Sequence, residues 1–478
     1  MTRPEKAKVG IFLIGCQRFR KLGDGTKHGV YEIRKERYAE TFVKQIGKIA
    51  DPVFPGIAYG RNDVEKAMRM FFSEKVDCVI CTFLSWSEDF SWISFLRDMY
   101  DIPLLLYLQA MPRTSYSDTR DEDDFVEFLA QGGLVGSLEC SGSIARFGRK
   151  IEIVLDEPPQ AEKRIDAFVR ASHARAKLRN ARFGLIPCYN EIMWSTYVSP
   201  YDIFAKIGPE LKFISYAHLK EEIESIPDSD ATSYMKDIAS LYPVEKDVDK
   251  RLFLESARAS LALATIGKRL ELDALVLNDV SPELFRAIGL RPGFYHPSFN
   301  ERNSVLVPEG DLGAGTIVYI LKQLTGGHVN YTEPFYVNNA ENTFSAGHAG
   351  PNDHTDGRFR KLVRVSRDVR FAKTSYKYAG APFAWYRIPP GKKTFAHFSE
   401  GNGKYKIVCF TAESLPGKHT LCSYSHSDFR PDMPVTKLFE KVISTGTTQH
   451  FAVAEGDLRE ELSLFARING FEYHEPGK

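Results

Sequence analysis

The fold depends on the stretch Val305-Leu306-Val307-Pro308-Glu309-Gly310-Asp311. Within it, a short apolar strand ends before Gly310, and a helical pattern begins after Asp311. In open α/β sheets, ligands gather outside the carboxyl ends of the strands, and Glu309 stands at such an end. We therefore expect the functional surface where an α/β part of the chain meets the part that follows it.

Upstream of this stretch, apolar runs typical of buried strands alternate with longer charged stretches of helical period. The strand-like runs are Val9–Ile14, Cys78–Phe83, Pro103–Leu108 and Ile151–Leu155, and helical stretches cover Tyr31–Ile49 and Asp63–Ser73. Pro158-Pro159 predicts a linker, after which a helix near Glu162–Leu178 and strands near Phe183–Pro187, Leu211–Tyr216 and Ala274–Asn278 continue the pattern. Such alternation predicts parallel sheets with helices on both faces.

Beyond Gly326-Gly327 the period changes to short β-type runs separated by turn residues, which predicts an antiparallel region. These runs are His328–Asn338, Lys361–Ser366, Phe383–Pro389, Thr394–Ser399 and Tyr405–Ala412, and helical patterns follow at Val435–Ser444 and Asp457–Ile468. A chain of 478 residues is too long for one core. We predict an α/β protein with doubly wound, Rossmann-like domains at 1–158 and 159–326 and a mostly antiparallel, β-barrel-like domain at 327–478.

Composition excludes several classes of function. The chain carries 63 basic and 62 acidic side chains, and a net charge of +1 gives no field that would attract nucleic acid or an anionic membrane. No apolar stretch is long enough to span a membrane, and the start lacks a secretory signal. Seven scattered cysteines argue against a disulfide framework. We predict a cytoplasmic protein.

Four side chains of the last third could hold one divalent cation: Glu309, Glu333, His348 and His450. Mixed carboxylate and imidazole ligation suits manganese, cobalt or iron. Each residue has an ordinary alternative, because a glutamate at a strand end is commonly solvated and a single histidine is commonly a satisfied polar side chain. Glu341 is a rival for Glu333, since it lies closer in sequence to His348.

Other polar and aromatic positions allow two interpretations each. Asp311 is interpreted as a cap of the following helix. Asp353-His354-Thr355-Asp356 resembles a second metal cluster but is interpreted as a solvated turn, because glycine, proline and asparagine surround it. Thr82, Phe83 and Gln109 lie at predicted strand ends and are candidate substrate contacts. Trp86, Phe90 and Trp92 could line a substrate pocket or belong to a core.

With these motifs in view, the chain resembles the L-arabinose isomerase and L-fucose isomerase superfamily. The Glu309-Gly310-Asp311 motif before a helix carries most of the resemblance, and the order and spacing of Glu309, Glu333, His348 and His450 are similar to the family's four metal ligands. Gly15-Cys16-Gln17 resembles the family's Gly-Ser-Gln. Two departures stand out: Glu333-Pro334-Phe335 replaces Glu-Asp-Tyr, and Gln131-Gly132-Gly133 replaces His-Gly-Gly.

The resemblance implies a manganese-dependent aldose–ketose isomerase, in which Glu309 and Glu333 also serve as acid and base. It implies a homohexamer in which Gln17 reaches a sugar bound by a neighbouring subunit. The departures leave open an epimerase, or an isomerase of an acidic or sulfonated sugar. A non-catalytic sugar-binding protein is the alternative of another class, because two consecutive α/β domains also occur in hinged sugar binders.

Overall fold

The structure is a computed structural model that describes residues 6–369, 380–418 and 420–477. The chain divides into two compact units, which we call the N-terminal unit (Arg3–Ala176) and the C-terminal unit (Lys177–Lys478). Each unit is built around parallel strands, and the C-terminal unit also contains an antiparallel sheet.

The N-terminal unit contains a five-stranded parallel sheet. Its strands are β1 (Lys8–Ile14), β2 (Asp51–Val53), β3 (Cys78–Phe83), β4 (Leu104–Gln109) and β5 (Glu152–Asp156). They are arranged in the order β2-β1-β3-β4-β5. Its helices are α1 (Tyr31–Ile46), α2 (Arg61–Glu74), α3 (Phe90–Asp98), α4 (Glu122–Ala130), α5 (Gly133–Arg146) and the first part of α6 (Pro158–Arg179).

Aromatic side chains fill the core of this unit. Phe12 of β1 stacks on Phe95 with ring centroids 4.5 Å apart, and Phe95 stacks in turn on Trp92. All six residues of β3 are buried, as expected for a parallel strand covered on both faces. Cys78 and Cys81 therefore lie inside the core, within the strand predicted at Cys78–Phe83.

The C-terminal unit begins with a four-stranded parallel sheet of order β7-β6-β8-β9. The strands are β6 (Arg182–Ile186), β7 (Glu210–Phe213), β8 (Ala274–Leu277) and β9 (Val305–Val307). The helices between and after them are α7 (Pro200–Asp202), α8 (Tyr216–Ser225), α9 (Asp228–Leu241), α10 (Lys250–Arg269), α11 (Pro282–Ile288), α12 (Ser298–Glu301) and α13 (Leu312–Thr325). Helix α13 contacts both this sheet and the strands that follow.

Those later strands form a closed antiparallel barrel of six strands, joined in the order β14-β17-β10-β11-β16-β15 and closed by pairing of β14 with β15. The barrel strands are β10 (Val329–Asn338), β11 (Thr343–Ala349), β14 (Gly391–Gly401), β15 (Lys404–Ser414), β16 (Tyr424–Pro431) and β17 (Phe451–Glu455). Strands β12 (Val363–Arg367) and β13 (Pro382–Tyr386) pair separately, and β18 (Glu472–His474) pairs with β15. Helices α14 (Val435–Ser444) and α15 (Arg459–Asn469) complete the unit.

The predicted α/β class, with parallel sheets followed by an antiparallel barrel, is confirmed. The predicted linker at Pro158-Pro159 is wrong, because Pro158 begins the 22-residue helix α6. Proline fits the first turn of a helix, because the N–H groups of that turn have no partner within the helix and the missing N–H of proline costs no hydrogen bond. One compact unit contains both the second parallel sheet and the barrel, so the boundaries 1–158, 159–326 and 327–478 stay predictions. None of the helices that the structure describes is long and apolar enough to cross a membrane.

Two glycines of α5 offer a test of the packing in the N-terminal unit. A Cβ on Gly136 would lie 2.4 Å from the Ser85 carbonyl oxygen, whereas a Cβ on Gly142 would meet nothing within 4 Å. We expect Gly136→Ala to lower the free energy of unfolding by about 1–3 kcal/mol because α5 must move away from the backbone that follows β3. Gly142→Ala is expected to raise it by up to about 1 kcal/mol through better helix propensity.

Thermal and urea unfolding of the two variants beside the parent chain would measure both effects. Equal stability of the Gly136→Ala and Gly142→Ala proteins would contradict the close approach of α5 to the Ser85 carbonyl.

Candidate metal centre

Glu309 lies in the turn between β9 and α13, and its backbone has an unusual conformation. Its φ is +66° and that of Gly310 is +67°. A non-glycine residue in the left-handed region costs about 1–3 kcal/mol and persists only where its surroundings hold it. Here the Asp279 carboxylate accepts the Glu309 N–H at 2.9 Å. A Cβ at position 310 would lie 3.0 Å from the Asn190 nitrogen, which explains the glycine.

Two histidines of the barrel meet this glutamate. His348 lies on β11, and His450 immediately precedes β17. Strand β10 pairs with both β11 and β17, and the ring of its Tyr331 contacts both imidazoles, with centroid separations of 4.5 Å and 4.7 Å. Pairing on both sides of β10 therefore brings together two side chains that are 102 positions apart along the chain.

The three side chains have the geometry of ligands that share one ion. Glu309 Oε1 lies 3.3 Å from His348 Nε2, and Glu309 Oε2 lies 3.3 Å from His450 Nε2. Their ligand atoms all lie within 4.8 Å of one another. Two ligands bonded at about 2.1 Å to one ion are separated by about 3.0 Å at an octahedral angle and about 3.4 Å at a tetrahedral angle. The observed spacing thus fits a first-row dication.

Both imidazoles are oriented by their other nitrogen. His348 Nδ1 donates to the carbonyl oxygen of Ala349, and His450 Nδ1 donates to Asp311 Oδ2 at 2.8 Å. With the proton on Nδ1, the Nε2 atom of each ring keeps its lone pair for a cation. His450 Nε2 is buried, and apart from Glu309 Oε2 at 3.3 Å it has no polar partner among the described residues. The hydrogen bonds at Nδ1 of both histidines therefore fit a bound metal ion, as the distances between the ligand atoms do.

Asp311 has two roles. Its Oδ1 accepts the Ala314 N–H at 2.9 Å and so caps α13, which confirms the interpretation from sequence. Its Oδ2 holds His450, a contact that the sequence did not predict. One carboxylate thereby fixes both the start of a helix and the tautomer of a candidate ligand.

A buried ion pair supports the same site. Arg291 is 1% exposed and donates through Nε to Asp279, and its Nη2 lies 3.9 Å from Glu309 Oε1. Arg291 Nη2 also donates to the Ala349 carbonyl at 3.4 Å, the same oxygen that accepts from His348. Arg291 therefore joins the turn that carries Glu309 to the strand that carries His348.

The carboxylates and imidazoles of this group shift one another's pKa values. Burial alone would raise the pKa of Glu309, but the two neighbouring imidazoles lower it well below the ordinary value. Burial would lower the pKa of His450, but its contacts with the carboxylates of Asp311 and Glu309 raise it to about 9, so a cation that binds Nε2 near neutral pH would displace a proton. Burial raises the pKa of Asp279 despite the adjacent Arg291. Desolvation, together with nearby carboxylates, raises the pKa of Tyr331 well above 10, so its phenol is neutral.

Of the four ligands predicted from sequence, three come together among the described residues: Glu309, His348 and His450. Glu333 lies half-buried on β10 opposite Gly347 and is not part of that group, although its charge acts on Tyr331 and Tyr424, as that of Glu309 does. Its role as a fourth ligand stays a prediction. The rival Glu341 lies exposed after β10.

The interpretation of residues 353–356 as a solvated turn is wrong. Asp353 and His354 are 5% and 2% exposed. Asp353 accepts from Asn300 Nδ2 at 2.8 Å and from the Thr355 hydroxyl at 2.7 Å, and His354 Nε2 accepts from the Tyr295 N–H. Turn-forming neighbours predicted the turn but not its burial. The Asp353 carboxylate and His354 Nε2 bond within the protein, whereas His354 Nδ1 is buried without a partner among the described residues, and the segment does not join the candidate metal group.

The predicted sugar contacts of the N-terminal unit lie around the carboxyl ends of adjacent strands. Gln17 follows β1 and is exposed, Thr82 and Phe83 end β3 and are buried, and Gln109 ends β4 and is exposed. Phe83 packs edge-on against Trp92 in the core. Nothing in the structure tests their contact with a sugar, so these four positions stay predictions.

Sequence reasoning missed Asp279, Arg291 and Tyr331. Asp279 could have been found, because it follows the predicted strand Ala274–Asn278 at the sheet edge that carries Glu309. Arg291 lies in Gly289-Leu290-Arg291-Pro292-Gly293, where no local pattern predicts a buried charge. Tyr331 was part of a predicted strand, but only the pairing of that strand places its ring beneath two histidines.

Comparisons with known proteins add no family to this description. Neither a scan of protein-family profiles nor a search of curated proteins finds a match to the chain.

Replacing Asp311 separates its two roles. In Asp311→Asn the single side-chain oxygen can still cap α13, but the amide NH₂ then faces His450 Nδ1 and favours the tautomer with its proton on Nε2. We expect Mn²⁺ affinity to fall by about 10–100-fold. The thermal midpoint in the presence of a chelator should stay close to that of the parent chain.

Asp311→Ala is the matched variant, because it removes the cap as well and should cost about 1 kcal/mol of stability in addition. Isothermal titration with Mn²⁺ and unfolding in chelator give the two readouts. Unchanged Mn²⁺ affinity in Asp311→Asn would show that His450 does not bind the ion.

Proposed function

We propose that the protein is a metal-dependent isomerase that interconverts an aldose and its ketose. The observation that carries this proposal is the convergence of Glu309, His348 and His450, with both imidazoles presenting Nε2 to the same point. The convergence lies outside the carboxyl end of β9 in a parallel sheet, where α/β proteins commonly bind ligands. The resemblance in the order of the predicted ligands supports the same reaction.

The reaction moves one proton between neighbouring carbons and rearranges the protons on their oxygens. Negative charge develops on oxygen along the way and must be stabilised. A dication held by Glu309, His348 and His450 would supply that stabilisation and polarise the carbonyl group. Manganese is our first candidate, and cobalt or iron fits the same donors.

The chain's own residues have separable tasks in this proposal. His348 and His450 would hold the cation as neutral imidazoles, and Ala349 and Asp311 fix their orientation. Glu309 and Glu333 are the candidate acid and base. Asp279 holds the backbone of Glu309 and so determines where its carboxylate points.

The finer parts of the proposal rest on the sequence. They are doubly wound, Rossmann-like sheets, a cytoplasmic location, a monosaccharide substrate and a homohexamer in which Gln17 of one subunit completes a neighbour's pocket. The five-stranded order β2-β1-β3-β4-β5 supports the first of these, because it reverses direction between β1 and β3 as doubly wound sheets do.

A direct test measures metal content and then incubates the protein with a panel of aldoses. We expect ketose formation that stops on chelation and returns when Mn²⁺ is added, because the cation supplies the charge stabilisation. Including uronic and sulfonated sugars in the panel distinguishes an acidic substrate, and detection of a C2 epimer without ketose identifies an epimerase. Protein that binds no divalent ion would end the proposal.

Substitution of the two glutamates by glutamine separates enzyme from binder. We expect Glu309→Gln to lower turnover by at least about 10³-fold, since it removes a ligand and a charge at the reacting carbons. Glu333→Gln tests the fourth predicted ligand and should also lower Mn²⁺ affinity if that residue binds the ion. A non-catalytic sugar-binding protein would keep its sugar affinity in both variants and show no turnover in the parent chain.

A further inference from the structure

Four tyrosines have a buried hydroxyl for which the described part of the chain offers no hydrogen-bond partner: Tyr59, Tyr234, Tyr331 and Tyr405. A buried hydroxyl that loses its bonds to water without replacing them costs free energy, so proteins nearly always satisfy such groups. Tyr331 differs from the other three in its surroundings, because it borders the candidate metal centre. A ligand of that centre is therefore a candidate partner for its hydroxyl.

Tyr331 lies on β10, is 2% exposed and packs against both candidate histidine ligands. Its ring centroid lies 4.5 Å from that of His348 and 4.7 Å from that of His450, and the two imidazole centroids are 5.8 Å apart. The three rings thus form a closed triangle. Glu309 reaches Nε2 of both imidazoles, so the Tyr331 ring stands beside the three candidate ligands.

The hydroxyl end of the Tyr331 ring lies on the side of the candidate ligands. Burial is the main cause that raises the pKa of this hydroxyl well above 10, and among nearby charges that of Glu309 has the largest effect, followed by that of Asp311. Glu333 and Asp279 come next. Because the effect of a charge falls with distance, this order places the hydroxyl near the Glu309 carboxylate.

A small cavity is the competing environment for this hydroxyl. Tyr331 lines a cavity of about 10 Å³ together with Lys322 and Asp353, which has room for about one water molecule. Neither Lys322 nor Asp353 is among the four charged groups that act most strongly on the Tyr331 hydroxyl. We therefore assign the hydroxyl to the metal centre and not to the cavity.

The carboxylates near the hydroxyl already have partners within the chain. Asp311 uses one oxygen to cap α13 and the other to bond an imidazole, and Asp279 bonds the Glu309 N–H and a buried arginine. Glu309 directs its two oxygens at the two imidazoles. The acceptor that suits the Tyr331 hydroxyl is thus an oxygen atom that reaches the centre from solution.

The backbone around Tyr331 holds its ring in place. The Tyr331 N–H donates to Asn352 Oδ1 at 3.2 Å, and Asn352 Nδ2 donates to the His348 carbonyl at 2.9 Å. One buried amide thus links the backbone of Tyr331 to that of a candidate ligand. With two imidazoles packed against it, the phenol is ordered before a ligand binds, which lowers the entropy cost of the interaction.

We propose that the Tyr331 hydroxyl donates a hydrogen bond to the oxygen ligand that a cation held by Glu309, His348 and His450 takes from solution. That ligand is water in the resting protein and a sugar oxygen in the reaction. The assignment rests on the proposed function, because it requires a bound cation. A fixed neutral donor stabilises negative charge that develops on the oxygen, so Tyr331 becomes a further catalytic residue of the proposed isomerase.

The test measures fluoride binding to the full chain loaded with Mn²⁺. Fluoride is the probe because it replaces water on metal ions and accepts hydrogen bonds, and its binding lowers the relaxation of water protons by Mn²⁺. We expect Tyr331→Phe to weaken fluoride binding by about tenfold or more, as the loss of one hydrogen bond to a charged acceptor does. Its affinity for Mn²⁺ should change by less than about threefold, because phenylalanine keeps the ring against both imidazoles.

Tyr234→Phe is the matched control. The Tyr234 hydroxyl is also buried and without a partner in the described ranges, but its ring packs on His296 at 4.8 Å and has no contact with the candidate ligands. Both phenylalanine variants remove an unsatisfied hydroxyl and should raise the thermal midpoint of the metal-free chain. Only Tyr331→Phe should weaken fluoride binding.

The outcomes separate this proposal from the proposed function. Equal fluoride affinity of the parent chain and Tyr331→Phe overturns the proposal and assigns the hydroxyl to a water molecule in the small cavity. Loss of Mn²⁺ binding in Tyr331→Phe also overturns it, because the residue would then assemble the site instead of serving its ligand. Fluoride binding that depends on Tyr331 in a protein without isomerase activity upholds the proposal while the proposed function fails. Isomerase activity with unchanged fluoride affinity does the reverse.

Discussion

The carboxylate of Asp311 connects the two halves of the candidate site. One oxygen caps α13, the helix that contacts the parallel sheet and the barrel, and the other holds His450 ahead of the barrel strand β17. Nearly every residue of α13 is buried, as expected for a helix that packs on all sides. Because this packing prevents α13 from rotating, Asp311 is held at a fixed position relative to the parallel sheet. Its hydrogen bond then holds His450 of the barrel at a fixed position as well.

The buried ion pair of Asp279 and Arg291 shows that the site is maintained at a cost in folding stability. Burying two charges is unfavourable even when they meet, and removing one partner of such a pair typically costs about 3–5 kcal/mol. The pair also holds Glu309 in a left-handed backbone conformation that most residues avoid. Hydrophobic residues of similar size would serve stability at least as well. The ion pair is therefore best understood as a constraint on the direction of the Glu309 carboxylate.

The fold could be predicted wherever a local pattern decided it. Strand β3 and helix α14 have the bounds expected from sequence, because continuous apolar runs and amphipathic periods need no distant information. Strand β11 was missed although it carries His348, since its Ser345-Ala346-Gly347 run has little β propensity and is stabilised only by pairing with β10 and β16. The linker was misplaced because proline patterns do not distinguish a loop from the first turn of a helix.

The candidate ligands of the site could be selected from the sequence, but the residues that hold those ligands in place could not. Glutamate and histidine are common metal ligands, so their positions in a sequence motif can identify Glu309, His348 and His450 as candidates. The contacts that orient them involve residues such as Asp279, which follows β8, and Ala349 of β11, and these residues have no common sequence signal.

The segment after β6 belongs to the same class of features. Its Tyr189, Tyr197 and Trp194 rings stack on one another, and the N–H of its Ser199 donates to Glu400, a residue of a hairpin about two hundred positions later. Convergence of this kind is a property of topology, and it explains why supporting contacts are harder to predict from sequence than candidate ligands. In the proposed function, the metal ligands would determine which bonds can change, whereas the surfaces beside them would determine which molecule is brought there.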